Sequence, residues 1–325
     1  MKRYMSWSPV VPLSLAFVPI WVSGFVVGKL ATQRVEVMTT LMWRFAIGAA
    51  VMWLVVIITR PAMPRGRAWL HLGVVGLLLQ VGQFCGIYLG LAHGVPAGLS
   101  SLCAGMAPLL VGLLGPLVAS ERFSMLKVAG LLTGALGVFV VLSGDLHGTR
   151  GTGWSGLAWT AVGMLSLTAG TLYQKRFGAS AAIAPAIAAQ TTLSLLVMTA
   201  VVVVTGSSPA PSTLGGWACV GWLGLGPSCA GFAVFYAVLH RTSTVYVSSL
   251  LNLVPGGTAL ASVPILGEPL TLRVAIGLVI ALAGMYVGVV LPGRREHPPR
   301  PVQPEPCPQS PPDASSRRPV QRAAR

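Results

Sequence analysis

The feature that most limits how this chain can fold is a succession of ten apolar segments between residues 10 and 291. Each is about as long as the roughly 20 helical residues needed to cross a bilayer. Hydrophobic residues make up 54% of the chain and charged residues only 9%, whereas soluble domains contain about 25% charged residues. The segments cover residues 10–28, 37–59, 68–91, 97–119, 125–143, 154–173, 181–205, 215–239, 244–266 and 273–291.

These apolar runs are continuous and do not alternate with polar residues as barrel strands do. The sequence therefore predicts an all-α membrane protein with ten transmembrane helices, numbered here from the first to the tenth span.

One passage occurs twice in this array, at positions 108–142 and 255–289. The two copies superpose without a gap when the sequence is shifted by 147 positions. The matching residues are a proline, a glutamate and two glycines: Pro108 and Pro255, Glu121 and Glu268, Gly130 and Gly277, and Gly137 and Gly284. The first copy covers the fourth and fifth spans, and the second covers the ninth and tenth. The repeating unit is therefore five helices.

An odd number of helices in each unit forces the two copies to enter the membrane from opposite sides. The sequence thus predicts two inverted five-helix repeats, an arrangement that many secondary transporters use to expose one site to each side in turn. The expected divisions are a cytoplasmic N-terminus (1–9), a first repeat (10–143), an extracytoplasmic linker (144–153), a second repeat (154–291) and a disordered Pro- and Arg-rich cytoplasmic tail (292–325).

The net charge of +15 is explained by orientation in the membrane. The basic residues are scattered between the spans and along the tail without forming a basic face, so nucleic acid is not an expected partner. With both termini in the cytoplasm, 17 Lys and Arg residues lie on the cytoplasmic side and 4 on the other. This distribution satisfies the positive-inside rule. It predicts a multi-pass protein of the cytoplasmic membrane, and the Ala, Gly, Val, Pro and Arg content is typical of a GC-rich bacterial genome.

The duplicated passage resembles the EamA-like family of the drug/metabolite transporter superfamily. The second copy matches the family pattern at Pro255, Gly267-Glu268, Gly277 and Gly284, whereas the first has Ser120 where the family usually has Gly. Arg44-Phe45 in the second span is similar to the family's Arg-Phe pair. The resemblance implies a ten-helix transporter fold over residues 10 to 291. It says little about the substrate, since the superfamily carries amino acids, drugs and other metabolites.

Polar side chains inside the spans are the candidates for substrate contacts, because hydrocarbon makes them costly unless they face a cavity or a partner. Arg44 is the one charged side chain well inside a span. It is interpreted either as an anchor for a substrate carboxylate or phosphate or as a structural arginine that snorkels outward or bonds helix-end carbonyls. Further candidates for lining a cavity are Gln80, Gln83, Tyr88, Trp21, Trp43, Tyr236 and Asn252.

The repeated proline and glutamate have structural interpretations. Pro108 and Pro255 are predicted to kink the fourth and ninth spans and to act as hinges, with a static kink as the alternative. Glu121 and Glu268 lie at the turns that precede the fifth and tenth spans. They are expected to cap those helices, with a gating contact to a basic residue as the alternative.

Several absences narrow the function. All seven acidic residues lie outside the spans, so facilitated transport or exchange is expected, with proton coupling through Glu268, His93 or His240 as the fallback. No motif for ATP, a catalytic metal or a nucleophile is present, and neither an enzyme nor a cofactor is expected.

The leading hypothesis is a secondary transporter that exports small polar metabolites such as amino acids. A multidrug exporter is the alternative, favoured if aromatic and Met side chains around Trp21 and Trp43 dominate the cavity. A scaffold or sensor acting through its tail is the alternative from another class. The expected partners are a small-molecule substrate and the lipid bilayer, and the sequence is compatible with a homodimer.

Overall fold

The computed structural model describes residues 10–118, 125–143, 153–177, 182–239, 241–242 and 244–290. Within these ranges the chain is helical and contains no strand. Its α-helices are α1 (Val10–Thr32), α2 (Val37–Thr59), α3 (Ala68–Gly76), α4 (Gln83–Ala92), α5 (Ala97–Gly105), α6 (Ala107–Val118), α7 (Met125–Ser143), α8 (Trp154–Phe177), α9 (Ile183–Thr205), α10 (Leu214–Leu225), α11 (Phe232–Leu239), α12 (Thr244–Leu251), α13 (Val254–Leu266) and α14 (Leu272–Met285).

Six helices in the described ranges are long and apolar enough to cross a bilayer. Three further apolar helical stretches are shorter, and α8 is 24 residues long but less apolar. The prediction of an all-helical membrane fold is confirmed, while the count of ten spans stays a prediction. The six long helices cover Val10–Thr32, Val37–Thr59, Ala68–Ala92, Ala97–Gly115, Ile183–Thr205 and Leu214–Phe235.

Three π-helical stretches interrupt or extend these helices. Leu77–Gly82 joins α3 to α4 in the third span, and Gly226–Gly231 joins α10 to α11 in the eighth. Tyr286–Val290 extends α14. The first two lie in corresponding members of the two halves, so the local departure from α-helical geometry occurs once in each half.

The fourth and ninth spans are each divided into two helices close to the repeated proline. The chain breaks at Met106 between α5 and α6, and at Asn252 and Leu253 between α12 and α13. Pro108 and Pro255 each occupy the first turn of the helix that follows the break. Proline is tolerated there because its missing N–H would have no partner within the helix. The role of these breaks as hinges stays a prediction.

The two halves pack against each other through corresponding helices. The most extensive contacts join α7 to α14 and α2 to α9, which occupy equivalent positions in the two repeats. Two further contacts are related by the same correspondence. The third span packs on α8, and its equivalent in the second half, the eighth span, packs on α1, the equivalent of α8. The duplication read from the sequence is therefore also present in the packing.

The repeated glycines form the contact between α7 and α14. A Cβ atom added at Gly137 would lie 2.5 Å from Ala281 N and 2.5 Å from Gly277 O. A Cβ atom added at Gly284 would lie 2.5 Å from Gly134 N. Because these neighbours are backbone atoms, they cannot move aside as a side chain could. The glycines thus let the two helices approach backbone to backbone, as small residues do in membrane helix pairs.

Gly137→Ala should destabilise the protein by forcing α7 away from α14. Overpacking of this kind costs about 1–3 kcal/mol, and the expected result is a lower midpoint of thermal unfolding in detergent. The matched control is Gly221→Ala in α10, where an added Cβ would meet no atom within 4 Å. An unfolding midpoint for Gly137→Ala equal to or above that of Gly221→Ala would contradict the close contact.

Candidate functional site

The guanidinium of Arg44 is the centre of the candidate site. Arg44 lies in α2 and only 4% of its surface is exposed. Its Nη1 donates a hydrogen bond of 2.7 Å to the hydroxyl of Tyr88, and its Nε donates one of 3.0 Å to Ser228 Oγ. Tyr88 belongs to the third span and Ser228 to the eighth. The guanidinium therefore connects three spans taken from both halves of the chain.

Aromatic rings of the third span complete this environment. The guanidinium carbon lies 3.9 Å from the centre of the Phe84 ring, within the range of a cation–π interaction. Gln80, Phe84 and Tyr88 follow one another at intervals of four residues, and such residues share a helix face. Phe84 is also in edge-to-face contact with Tyr88 and with Phe45. The face turned towards Arg44 is therefore aromatic.

Arg44 has no carboxylate partner among the described residues. The acidic residues that the structure describes are Glu36 and Glu268, and no ion pair joins either of them to Arg44. A buried charge costs several kcal/mol unless it is compensated. Here the compensation comes from two hydroxyl groups and an aromatic face, all without formal charge. Such a guanidinium retains the capacity to bind an anion.

The π-helical stretches supply the polar atoms around the guanidinium. Ser228 lies within Gly226–Gly231, and its Oγ donates a 2.9 Å hydrogen bond to Leu223 O while it accepts from Arg44. Gln80, within Leu77–Gly82, lines the same small cavity. π-Helical turns inside α-helices occur frequently at functional sites. Both stretches border the same charge.

The space beside Arg44 is small. The cavity measures about 10 Å³ and is bordered by residues of α2, α9 and the third and eighth spans. This volume holds about one water molecule, so the site is closed in this conformation. Its lining residues are Arg44, Phe45, Gly48, Met52, Gln80, Phe84, Ile187, Thr191 and Ser228.

Two other predicted cavity residues, both tryptophans, have different neighbours. Trp43 donates a 2.9 Å hydrogen bond to Pro209 O and contacts Trp217 edge to face at 4.8 Å. It therefore lies at the end of the bundle and is not among the residues that line the cavity beside Arg44, since adjacent residues of a helix point about 100° apart. Trp21 lies 5.8 Å from the ring of Phe17.

The remaining predicted residues are placed as follows. Asn252 lies in the break between α12 and α13, and its buried Nδ2 makes no hydrogen bond within the described part of the chain. The backbone of Gln83 packs closely on Gly163 of α8, and Gln83 is not among the residues that line the cavity beside Arg44. The side chain of Tyr236 lies outside the described residues, as do Glu121 and His240.

Glu268 caps a helix, but not the expected one. Its Oε1 accepts a 2.9 Å hydrogen bond from the backbone N–H of Ala97, at the start of α5. The helix that follows Glu268 is instead capped by Thr271, whose side chain accepts from Val274 N. The expectation that Glu268 caps α14 is therefore wrong. The carboxylate reaches across to the first half of the chain, which a reading of local sequence could not anticipate.

Sequence reasoning overlooked two important neighbours of Arg44. Phe84 follows Gln80 by four residues and precedes Tyr88 by four, so the same periodicity that singled out those two residues could have found it. Ser228 lies 184 residues away from Arg44 along the chain. No local pattern predicts its position, because it depends on a π-helical turn and on the packing of the two halves.

Comparison with known proteins agrees with this architecture. The pattern of the EamA-like transporter family matches residues 9–143 and again residues 154–290. A protein of Salmonella typhimurium named "Probable amino-acid metabolite efflux pump" is 27% identical over 85% of this chain and 93% of its own length. An Escherichia coli protein of the same name is 25% identical over the same shares. An "Uncharacterized transporter" of Archaeoglobus fulgidus is 24% identical over 89% of this chain and 99% of its own.

A solved crystal structure shares the fold, with a TM-score of 0.61 and 21% sequence identity over 89% of this chain and 99% of the other. The resemblance suggested by the repeated proline, glutamate and glycines is confirmed by the family match to both halves. Together with the long apolar helices, these matches show that the chain belongs to the EamA-like transporter family and is a multi-pass membrane transporter.

Proposed function

We propose that this protein exports small metabolites that carry a carboxylate, amino acids in particular, and that Arg44 binds the carboxylate. The observation that carries the proposal is the buried guanidinium, which is held by Tyr88, Ser228 and Phe84 and has no anionic partner among the described residues. Arginine binds carboxylates with two parallel hydrogen bonds. The names of the Salmonella and Escherichia coli relatives support export of amino-acid metabolites.

A multidrug exporter is supported less well. The guanidinium would repel the cationic compounds that many such exporters carry. That alternative is favoured by a cavity dominated by aromatic and Met side chains around Trp21 and Trp43. Neither tryptophan is among the residues that line the cavity beside Arg44, and Trp43 contacts Trp217 while Trp21 contacts Phe17. A substrate with a negative group and a modest size fits the described residues better.

The same proposal includes ten spans arranged as two inverted repeats, residues 10–143 and 154–291. Support comes from the ends of α1 and α8, which are equivalent helices. Lys29, near the end of α1, donates to the carbonyl of Leu91 at the end of the third span. Tyr173, near the end of α8, shares a 2.9 Å hydrogen bond with His71 at the beginning of that span. Equivalent helix ends thus lie at opposite ends of one span, as inversion requires.

The distribution of Lys and Arg supports a cytoplasmic membrane protein with both termini in the cytoplasm. In that orientation Lys29, the turn after α4 and Glu268 face the outside, whereas His71 and Tyr173 face the cytoplasm. Alternating access would open the closed site beside Arg44 to one end and then to the other.

Replacing Arg44 should abolish transport. Arg44→Gln removes the charge, and the loss of two charge-assisted hydrogen bonds of about 1.5–3 kcal/mol each predicts at least a tenfold lower efflux of labelled amino acids from reconstituted vesicles. Arg44→Lys should restore part of this activity because it keeps the charge without the planar fork. Efflux is measured both with and without a pH gradient across the vesicle membrane.

The control for this prediction is the midpoint of thermal unfolding of each purified variant. If Arg44→Gln lowered this midpoint while transport per folded molecule stayed normal, Arg44 would have only a structural role and the carboxylate proposal would fail.

Tyr88→Phe should weaken transport without preventing folding. The substitution removes the hydroxyl that accepts from Arg44 and leaves the rest of the ring in place. Losing one hydrogen bond to a charged group predicts about a tenfold or greater rise in the substrate concentration required for half-maximal flux. Cys85→Ala, three residues before Tyr88 on the same helix, serves as the control. Unchanged flux in Tyr88→Phe would show that this hydroxyl does not position Arg44.

The tail should be dispensable for transport. A chain that ends at Pro292 and is fused to green fluorescent protein should export amino acids at the rate of the full chain fused to the same reporter. The fusion should also fluoresce, because the reporter folds in the cytoplasm. Loss of export in the truncated chain would favour a scaffold or sensor that acts through residues 293–325. A dark fusion would contradict the cytoplasmic C-terminus.

A further inference from the structure

A second and larger cavity lies at the same end of the bundle as Lys29 and Glu268. It measures about 260 Å³, against about 10 Å³ beside Arg44. Pockets for drug-sized ligands range over roughly 300–1,000 Å³, so this cavity suits a smaller molecule. Its rim includes the exposed residues Gly267 and Leu270, which places one side of the cavity at the protein surface.

The walls of this cavity carry one positive and one negative side chain. Lys29 Nζ donates to Leu91 O at 2.6 Å and to Val95 O at 2.9 Å. Glu268 Oε1 accepts from Ala97 N at 2.9 Å. Each charged group is thus fixed to one side of the turn between α4 and α5. These contacts hold the two side chains in place before any ligand arrives.

The two charges are close without being paired. Glu268 attracts Lys29 electrostatically, yet no ion pair within 4.0 Å joins them in the described ranges. An ammonium has three donors and a carboxylate has two oxygens. Lys29 therefore keeps one donor beyond its two carbonyl contacts, and Glu268 keeps one oxygen. Both remain able to bind a ligand of opposite charge.

Apart from Ser262, whose hydroxyl donates to Ala259 O, the other side chains of the cavity wall are apolar. Side chains from four helices form this part of the wall: Leu99 and Leu102 of α5, Val141 of α7, Ala259 of α13, and Val274 and Leu278 of α14. An aliphatic group would therefore be accommodated beside the two charges. A molecule with an ammonium, a carboxylate and a small aliphatic side chain matches all three properties of the wall.

We propose that this cavity is a second binding site, which holds an aliphatic α-amino acid with its carboxylate on Lys29 and its ammonium on Glu268. The inference rests on the proposed function, since it names the substrate class of the same transporter. Tyr88 links the two sites: its hydroxyl accepts from Arg44, and a Cβ atom added at Gly28, beside Lys29, would lie 3.1 Å from that hydroxyl. In the proposed orientation Lys29 and Glu268 lie at the outer end of the bundle, so the cavity would be an outer station between Arg44 and the outside.

The test compares two ligands on the full-length protein in lipid nanodiscs. Leucine carries both charges, whereas 4-methylpentanoate has the same skeleton without the ammonium. Wild-type protein should bind leucine about tenfold more tightly by calorimetry, because one charge-assisted hydrogen bond is worth about that factor. Glu268→Gln should bring the two affinities close to each other by weakening leucine alone. The amide oxygen of Gln can still accept from Ala97 N, so capping of α5 is preserved.

Glu36→Gln is the matched control. Glu36 is the other described carboxylate, it precedes α2, and it lines neither cavity. This variant should keep the wild-type preference for leucine. A preference that persists in Glu268→Gln, a loss of equal size in Glu36→Gln, or the absence of leucine binding to the wild-type protein would each overturn the proposed site.

Arg44→Gln separates this inference from the proposed function. If both are correct, this variant loses transport and still prefers leucine over 4-methylpentanoate. If it loses all leucine binding, the ligand occupies only the site beside Arg44 and the outer station is refuted. If it transports normally while Glu268→Gln loses the preference, the role of Arg44 is refuted and the outer station stands.

Discussion

The guanidinium of Arg44 needs partners in a region that offers no bulk water, and this requirement ties the bundle together. A charge in such a place is tolerated only where neighbouring groups replace the lost hydration. Its hydrogen bonds and its aromatic contact come from the third and eighth spans, one from each half of the chain. The position of the Arg44 side chain therefore depends on the correct assembly of both repeats. The site forms only when the two halves have folded against each other.

The glycine contact between α7 and α14 has a complementary role. It lies among the helices of the duplicated passage and brings backbone against backbone, whereas the polar site lies among less repeated helices. Close packing of equivalent helices holds the halves together without using any polar group. The residues that differ between the halves can then give the site its charge: Arg44 in α2 corresponds, at a shift of 146 positions, to Gln190 in α9. The glycine contact and the site beside Arg44 are thus carried by different helices.

The sequence predicts the fold better than the site. Continuous apolar runs and the repeat of Pro, Glu and Gly were enough to predict a helical membrane protein of this family, because both depend on local pattern. Arg44 stood out for a similar reason, as a charge within an apolar run. Ser228 and the contact between Glu268 and Ala97 depend on the meeting of distant segments. Trp43 is next to Arg44 along the chain but contacts Pro209 and Trp217, because adjacent residues of a helix do not share a face.

The π-helical stretch Leu77–Gly82 determines which way the remainder of the third span faces. A π-helical turn accommodates one residue more than an α-helical turn, and each residue of a helix adds about 100° of rotation. Deleting a single residue there would leave the span apolar and almost as long. It would nevertheless turn Phe84 and Tyr88 by about a quarter of a revolution, away from the guanidinium. The rotation of the helix about its own axis therefore depends on the number of residues in the π-helical stretch, and a hydropathy profile does not show it.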